Sequence, residues 1–185
     1  MFPSPLATDF PLEVNSPRGG MAQQYGEIRA NSLALAAPLS AEDQCIQSMP
    51  DASPTKWHLA HSSWFFEAMV LCPLAPGYGP FDERFSYLFN SYYEALGPRH
   101  PRPLRGLLTR PSLEQVLAYR AHVDTGVQNF IASSDEMTWQ RALPMLTLGL
   151  HHEQQHQELI LTDILHALSC NPMLPAYQGA VTPPH

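Results

Sequence analysis

The 185-residue sequence has few basic residues, few cysteines and no long apolar run. It contains ten Lys and Arg residues against seventeen Asp and Glu residues, and its formal net charge is -7. Nucleic acids and anionic membrane surfaces both attract clustered positive charge, so we expect neither to be a partner. No segment approaches the roughly 20 apolar residues of a membrane-spanning helix, and the proline-rich N-terminus lacks the apolar centre of a signal peptide. We therefore expect a soluble, cytoplasmic protein.

The three cysteines, Cys45, Cys72 and Cys170, are far apart and form no CxxC pair. An odd number without paired spacing does not indicate a disulfide framework, which agrees with a reducing compartment. We expect each cysteine to be a small core residue rather than a nucleophile.

Nineteen prolines are many for a helical protein, but most of them lie between segments of helical periodicity. These segments predict four long helices, because their apolar residues recur every three to four positions. Ser53 and Pro54 mark the start of the second helix, and the fourth follows Pro144. The predicted helices are Met21–Ala37, Lys56–Leu71, Ser112–Ala132 and Met145–Leu168, with a short helix near Ser86–Leu96 and a helical turn after Ser40.

Four long helices without strand-like alternation predict an all-α fold with the architecture of a four-helix bundle. We expect a disordered lead-in over residues 1–20, the bundle over residues 21–172 and a linker-like tail over residues 173–185. The loop between helices two and three is long for a bundle, and loops of that length often carry function.

Two histidines lie four residues apart in the last predicted helix, in the run LTLGLHHEQQHQELILTDIL. His152 and His156 therefore project from one helix face, which also carries Leu148 and Leu159 and which we expect to point inward. Buried imidazoles need partners for their nitrogens, and a metal ion satisfies both rings at once. The alternative is a pair of ordinary histidines bonded to water or to neighbouring helices.

A third ligand is available in the second helix, in SPTKWHLAHSSWFFE. His58 and His61 are three residues apart there, and spacing alone does not choose between them. Three neutral imidazoles without a carboxylate suit iron(II), zinc or copper, and they leave coordination positions open for a substrate.

Other polar residues surround the pair in the fourth helix. His151 points about 100° away from His152, so we expect it at the surface or beside the ligands. Gln155 and Glu158 flank the ligand face, and either can hold a ligand's second nitrogen or a bound substrate. For Glu158, a plain surface position is an equal alternative.

The residues from His152 to His156 also spell H-E-x-x-H, the signature of zinc proteases in which the glutamate is the general base. No H-x-x-G-x-x-H continuation follows, and no downstream acid stands in an evident further helix. A zinc hydrolase is therefore the least favoured of the enzyme interpretations.

Three segments together resemble the N-terminal DinB-like domain of the ergothioneine-biosynthesis sulfoxide synthases. They are SPTKWHLAHSSWFFE, YLFNSYYEALGPRHPRPLRGLLTRP and GLHHEQQHQELILTDILHAL, and the similarity runs in order from about Tyr25 to Tyr177. The resemblance implies a DinB-like four-helix bundle. It also implies a non-haem iron oxidoreductase that joins cysteine or γ-glutamylcysteine to hercynine with O₂.

The resemblance implies a role for particular residues. The iron ligands of that family fall on His61, His152 and His156, which selects His61 over His58. Gln155 matches the residue that contacts the imidazole of the histidine-derived substrate. The arginines that bind the carboxylate of the thiol fall nearest to Arg99 and Arg102, with Arg105 less favoured.

Members of that family carry a second, formylglycine-generating-enzyme-like half that supplies a catalytic tyrosine, and this sequence contains no counterpart. Tyr177 lies in a linker-like segment and is a poor substitute. We therefore assign no catalytic residue and expect the chain to need a second domain or a separate partner chain. The alternatives are a stand-alone thiol transferase that uses zinc or another divalent metal, and a metal-binding module without catalysis.

Overall fold

Four long helices form one bundle in the computed structural model, which describes residues 16–91 and 97–178. Within those ranges the chain is helical and contains no strand. The helices are α1 (Pro17–Ala36), α2 (Thr55–Phe66), α3 (Cys72–Leu74), α4 (Phe85–Phe89), α5 (Leu113–Ser133) and α6 (Glu136–Ser169). A π-helical turn, Glu67–Leu71, joins α2 to α3, and two short 3₁₀ helices are Asp43–Cys45 and Arg102–Leu107. The predicted all-α four-helix bundle is confirmed.

The bundle is held by a core that α2 shares with its neighbours. Helix α2 packs against α5 and α6, and α1 packs against α6 and α5. Every residue of α2 is buried, because helices or the long connection cover it on all sides. Trp64, Phe65 and Phe66 are the most deeply buried of its aromatic side chains, each no more than 1% exposed. A helix buried all round cannot be amphipathic, and its polar residues must find partners inside the protein.

Two predicted helix starts lie at other residues in the structure. Helix α1 begins at Pro17 rather than Met21, because the Ser16 side chain accepts a hydrogen bond from the Gly19 amide and Pro17 suits the first turn. Helix α2 begins at Thr55, and Ser53 does not cap it. The Ser53 hydroxyl accepts a hydrogen bond from Arg105 instead.

The fourth predicted helix is longer than expected, because α6 starts at Glu136 and continues through Pro144. Asp135 caps it by accepting a hydrogen bond from the Thr138 amide. An internal proline costs about 3 kcal/mol through a lost hydrogen bond and a clash. Burial of Trp139 and Ala142 before the proline, and of Leu146 after it, offsets that cost.

The other predicted elements lie close to their expected places. Helix α5 is confirmed with its start at Leu113, where Ser112 and Gln115 form a reciprocal capping box. The helical turn after Ser40 is the 3₁₀ helix Asp43–Cys45. The short helix predicted near Ser86–Leu96 covers only Phe85–Phe89, and residues 92–96 lie outside the described residues.

The expected domain limits stay predictions, although part of each terminal segment is described. Residues 17–20 of the expected lead-in belong to α1, and residues 1–15 lie outside the described residues. In the expected tail, Tyr177 packs on a small cluster with Leu39 and Ile164, and its hydroxyl donates to the Leu35 carbonyl. That segment therefore contacts the bundle at least as far as Tyr177.

The cysteines do not occupy the core. Cys72 and Cys170 are exposed, Cys45 is half-buried, and all three are free thiols. The expectation that they are core residues is wrong, because each lies at a helix end or in a connection where solvent reaches it. Among the described residues, no helix has both the length and the apolar character that crossing a membrane requires.

Gly149 lets α2 and α6 approach each other closely. A Cβ atom at this position would lie 2.4 Å from Cε1 of Phe66 and 3.0 Å from Cε1 of Phe65. Both rings are fully buried, so they have little room to move aside.

We predict that Gly149→Ala lowers the free energy of unfolding by about 1–3 kcal/mol, because the overpacked methyl group outweighs the better helix propensity of alanine. Gly26→Ala is the matched control, since nothing lies within 4 Å of a Cβ atom there. Because alanine loses less backbone entropy on folding than glycine, Gly26→Ala should raise the free energy of unfolding by about 0.5–1 kcal/mol. Urea denaturation measures both values, and equal stabilisation of the two variants would contradict the close approach.

Candidate metal centre

Three histidines from two helices meet on one side of the bundle. His61 lies on α2, and His152 and His156 lie one turn apart on α6. One ring nitrogen of each lies within 4.8 Å of the others. The three histidines that the family resemblance selects as ligands are therefore adjacent in the fold, close enough to bind one metal ion.

The orientation of His61 is set by its surroundings. Its ring is stacked between Trp57 and Trp64, with centroids 4.6 and 5.4 Å away and interplanar angles of 14°. Its Nδ1 lies 2.6 Å from the Phe89 carbonyl oxygen, which can only accept. Nδ1 therefore carries the proton, and Nε2 has its lone pair directed at the cluster.

His152 lies next to His61 across the interface between α6 and α2. The two Nε2 atoms are 3.2 Å apart. Two nitrogens that each lie about 2.0–2.1 Å from one metal ion are separated by about 3.0–3.4 Å at the usual ligand angles, so this spacing fits a shared ion. The Nδ1 of His152 is buried and has no hydrogen-bond partner among the described residues. The outer nitrogen of this ring is thus the least restrained of the set.

His156 is supported by a residue that the resemblance did not select. Its Nδ1 lies 2.8 Å from Nδ1 of His58, and Nε2 of His58 lies 3.0 Å from Oδ2 of Asp163. His58 is 2% exposed. The sequence offered His58 only as a rival ligand to His61, because contacts between helices leave no signal in spacing along one helix.

Burial keeps the three candidate ligands neutral. It lowers the pKa of His61 well below the ordinary value, and it lowers that of His152 to about 4. The pKa of His156 is also lowered, first by burial and then by its neighbours His61, His58 and His152. Neutral imidazole is the form that binds metal ions, so no proton has to leave these rings near pH 7.

A cavity of about 370 Å³ opens beside the three histidines. Its other walls come from α2, from the long connection between α3 and α5, and from the exposed side of α6. Besides the histidines, its lining includes Ser53, Trp57, Ser91, Arg102, Arg105, Gln155 and Leu159. Leu148 is exposed, so the expectation that it shares a buried face with the histidines is wrong. Leu159, one turn after the histidines, does line the cavity, whereas Leu148 does not.

Some of the predicted substrate residues line this cavity and others do not. Gln155 and Arg102 line it, whereas Arg99 does not and donates to the Ser91 carbonyl instead. Arg105, the less favoured arginine, does line it. Arg102 and Arg105 lie in one 3₁₀ helix, where residues three apart project on the same side. Glu158 is exposed and is not part of the lining.

Arg105 is held firmly for a cationic residue. It is 4% exposed and donates to the hydroxyls of Ser53 (2.9 Å) and Ser91 (3.1 Å). Its guanidinium carbon lies 3.4 Å from the ring centroid of Trp57. Because Trp57 also stacks on His61, this positive charge lies close to the candidate ligands and suits an anionic group in the cavity.

Glu153, the glutamate of the H-E-x-x-H pattern, points away from the cavity. Its oxygens accept hydrogen bonds from Arg29 (2.9 Å), Arg120 (3.0 Å) and Ser32 (2.7 Å), and it is 1% exposed. Burial raises its pKa, but the two arginines outweigh this effect and the net pKa is lowered. A carboxylate engaged in this way is not placed to act as a general base on a substrate in the cavity.

The comparison with protein families agrees with this geometry. The model described as the DinB superfamily matches residues 24–160, a range that contains the three histidines, the long connection and the arginines of the cavity. No curated protein matches the chain.

We predict that the chain binds one divalent ion and that removing any candidate ligand abolishes tight binding. Co(II) binding should weaken by more than about 100-fold in each of His61→Ala, His152→Ala and His156→Ala. Loss of a residue that only hydrogen-bonds to a ligand costs at most about that much. His151→Ala is the control, since His151 is exposed and contacts only Gln154 in the hydrogen bonds described. Titration against a chelator measures the affinities, and a ligand variant with wild-type affinity would refute the site.

We also predict that the metal-free protein loses stability as the pH falls from about 6.5 to about 4. His152 binds its proton more weakly in the folded state, so protonation favours the unfolded chain in that interval. At 1.36 kcal/mol per pKa unit, this histidine accounts for on the order of 3 kcal/mol. Urea denaturation at pH 7 and pH 5 should show a smaller loss for His152→Asn than for wild type or for His151→Asn. Identical losses in all three proteins would contradict this account.

Proposed function

The chain belongs to the DinB superfamily, and we propose that it is the iron(II)-binding half of a sulfoxide synthase in ergothioneine biosynthesis. The reaction joins cysteine or γ-glutamylcysteine to hercynine with O₂. One observation carries the proposal: the three neutral histidines border a cavity whose other walls present an amide, Gln155, and two guanidinium groups, Arg102 and Arg105.

The ligand set suits the proposed metal. His61, His152 and His156 would hold iron(II) through neutral nitrogens on one side, leaving positions open toward the cavity. Bound iron(II) would supply the redox chemistry with O₂, in which a C–S bond replaces the thiol S–H and imidazole C–H bonds, one oxygen atom ends on sulfur and the other leaves as water.

The cavity groups suit the proposed substrates. The side-chain amide of Gln155 can donate to or accept from the imidazole of hercynine, and this residue lies one position before His156. Arg102 and Arg105 offer positive charge to the carboxylate of the thiol, and guanidinium pairs with carboxylate through two parallel hydrogen bonds. Holding both substrates beside the three histidines would supply much of the catalysis through proximity.

We expect this half to act together with a second domain or a separate partner chain, because no tyrosine lines the cavity within the described residues. The partner would close the cavity and supply the catalytic tyrosine that the family resemblance implies. Closing the cavity would also exclude water from the reacting groups.

A thiol transferase is the second candidate, because three neutral histidines with an open side are also a catalytic zinc arrangement. In that reaction zinc held by the three histidines would lower the pKa of a thiol, whose sulfur would displace a leaving group from an electrophile, and O₂ would play no part. A module that binds metal without catalysis is the non-enzyme alternative. Hydrolysis through Glu153 is disfavoured, since that carboxylate is paired with Arg29 and Arg120.

We predict that the iron-loaded chain binds hercynine and that Gln155→Ala weakens this binding about two- to twelvefold, the effect of one lost hydrogen bond of about 0.5–1.5 kcal/mol. Gln154→Ala is the matched control, since its exposed side chain is not part of the cavity lining. Calorimetry under nitrogen measures both. Unchanged binding in Gln155→Ala would contradict the assigned role.

Metal analysis of protein from its native host and an oxygen electrode separate the candidates. A sulfoxide synthase contains iron and, with its partner, consumes O₂ only when hercynine and thiol are both present. A thiol transferase contains zinc or another divalent metal and consumes none. Sulfoxide formed at full rate by the isolated chain would refute the need for a partner, and a zinc-loaded protein without O₂ uptake would refute the synthase assignment.

A further inference from the structure

A buried chain of hydrogen bonds leads from His156 through His58, which also lines the cavity, to Asp163. His58 lies between His156 and Asp163, with contacts of 2.8 Å from its Nδ1 and 3.0 Å from its Nε2. Asp163 lies on α6, two turns after His156, so both ends of this hydrogen-bond chain belong to one helix. His58 belongs to α2, and it therefore bridges two turns of α6 across the helix interface.

The proton positions in this chain follow from what each atom can do. The Asp163 carboxylate only accepts, so Nε2 of His58 carries a proton and donates it. Neutral His58 then has a lone pair on Nδ1, and Nδ1 of His156 must be the donor between the two rings. A neutral His156 that is protonated on Nδ1 has its lone pair on Nε2, which leaves that nitrogen available to a metal ion.

Asp163 is itself fixed in place. Its Oδ2 accepts a second hydrogen bond, of 2.8 Å, from the Ser53 amide just before α2. The Ser53 hydroxyl accepts from Arg105, a residue of the cavity wall. The carboxylate is thus tied both to the ligand and, through one serine, to the substrate side of the site.

We propose that His58 and Asp163 are positioning residues that hold His156 in its Nδ1–H tautomer and direct its Nε2 to the metal. The inference rests on the proposed metal site and extends it. Histidine ligands commonly donate their second nitrogen to a carboxylate, which fixes the ring and makes it a stronger donor. Here a second histidine lies between the two, so the negative charge of Asp163 reaches a ligand set that contains no carboxylate of its own.

The other two ligands are held differently. His61 donates to a backbone carbonyl, that of Phe89, and His152 has no partner for its Nδ1 among the described residues. Of the three, only His156 is connected to an ionised group in the hydrogen bonds of the described chain. Removing the charge of Asp163 should therefore change the metal affinity through His156 alone.

Four variants test this assignment by Co(II) affinity, measured by competition with a chelator. Asp163→Asn keeps an oxygen that accepts from both His58 and Ser53 but removes the charge, and His58→Leu removes the acceptor for His156. Both should weaken binding about 10- to 100-fold. His58→Gln offers an oxygen to His156 and an amide to Asp163, so it should recover most of the loss. Glu158→Gln removes the same charge from an exposed position of α6 and should bind within about threefold of wild type.

The tautomer of His156 gives a readout that fold stability alone does not change. Long-range nitrogen–proton NMR on the metal-free protein should show His156 protonated on Nδ1 in wild type and Asp163→Asn, and on Nε2 in a large fraction of His58→Leu. If His58→Leu does not fold, Asp163→Asn still tests the charge. Wild-type Co(II) affinity in Asp163→Asn, or an Nε2–H tautomer in wild type, would overturn the inference. Failure of wild type to bind any divalent ion would overturn the metal site as well.

Discussion

The contact between α2 and α6 is the constraint on which the rest of the site depends. Gly149 allows the ring of Phe66 to lie against the backbone of α6, at a distance that a side chain would not permit. About one turn after Gly149 on α6, and five residues before Phe66 on α2, the same approach places the Nε2 atoms of His152 and His61 3.2 Å apart. Nitrogen atoms that share an ion tolerate errors of only a few tenths of an ångström. A dense apolar contact, which resists deformation, is therefore a suitable foundation for a metal site.

The rotation of α6 about its own axis is set by a second, polar contact. His152 and Glu153 are neighbours in the chain and point about 100° apart, so one borders the cavity while the other enters the bundle. Glu153 meets Arg29 from α1 and Arg120 from α5, and such a buried group of charges is costly to separate once formed. Turning α6 to move the histidines would break those pairs. The ion pairs thus orient the histidines without touching them.

Much of this arrangement could be read from the sequence, and the failures have identifiable causes. Periodicity predicted the four helices, and i,i+4 spacing predicted the His152–His156 pair. Local rules failed where packing outweighed them, as in the continuation of α6 through Pro144 between buried residues. The substrate-binding roles of the arginines stay predictions, but the presence of Arg105 in the cavity lining depends on a 3₁₀ helix whose three-residue turn leaves little trace in composition. The roles of His58 and Glu153 require the relative placement of separate helices, which no spacing within one segment encodes.

The candidate metal ligands and the two arginines of the cavity, Arg102 and Arg105, come from different parts of the chain, and this separation affects how the fold can vary. His61, His152 and His156 lie on buried or packed helices, where a change in position disturbs the core. Arg102 and Arg105 lie in the connection between α3 and α5, which can change in length and sequence at less cost to the bundle. Arg105 is the point of contact between the two, because it stacks on Trp57, and Trp57 stacks on His61. A fold alone does not determine a reaction, so membership of the superfamily leaves the substrate open, and the side chains of the connection are the ones that can change most readily beside the three histidines.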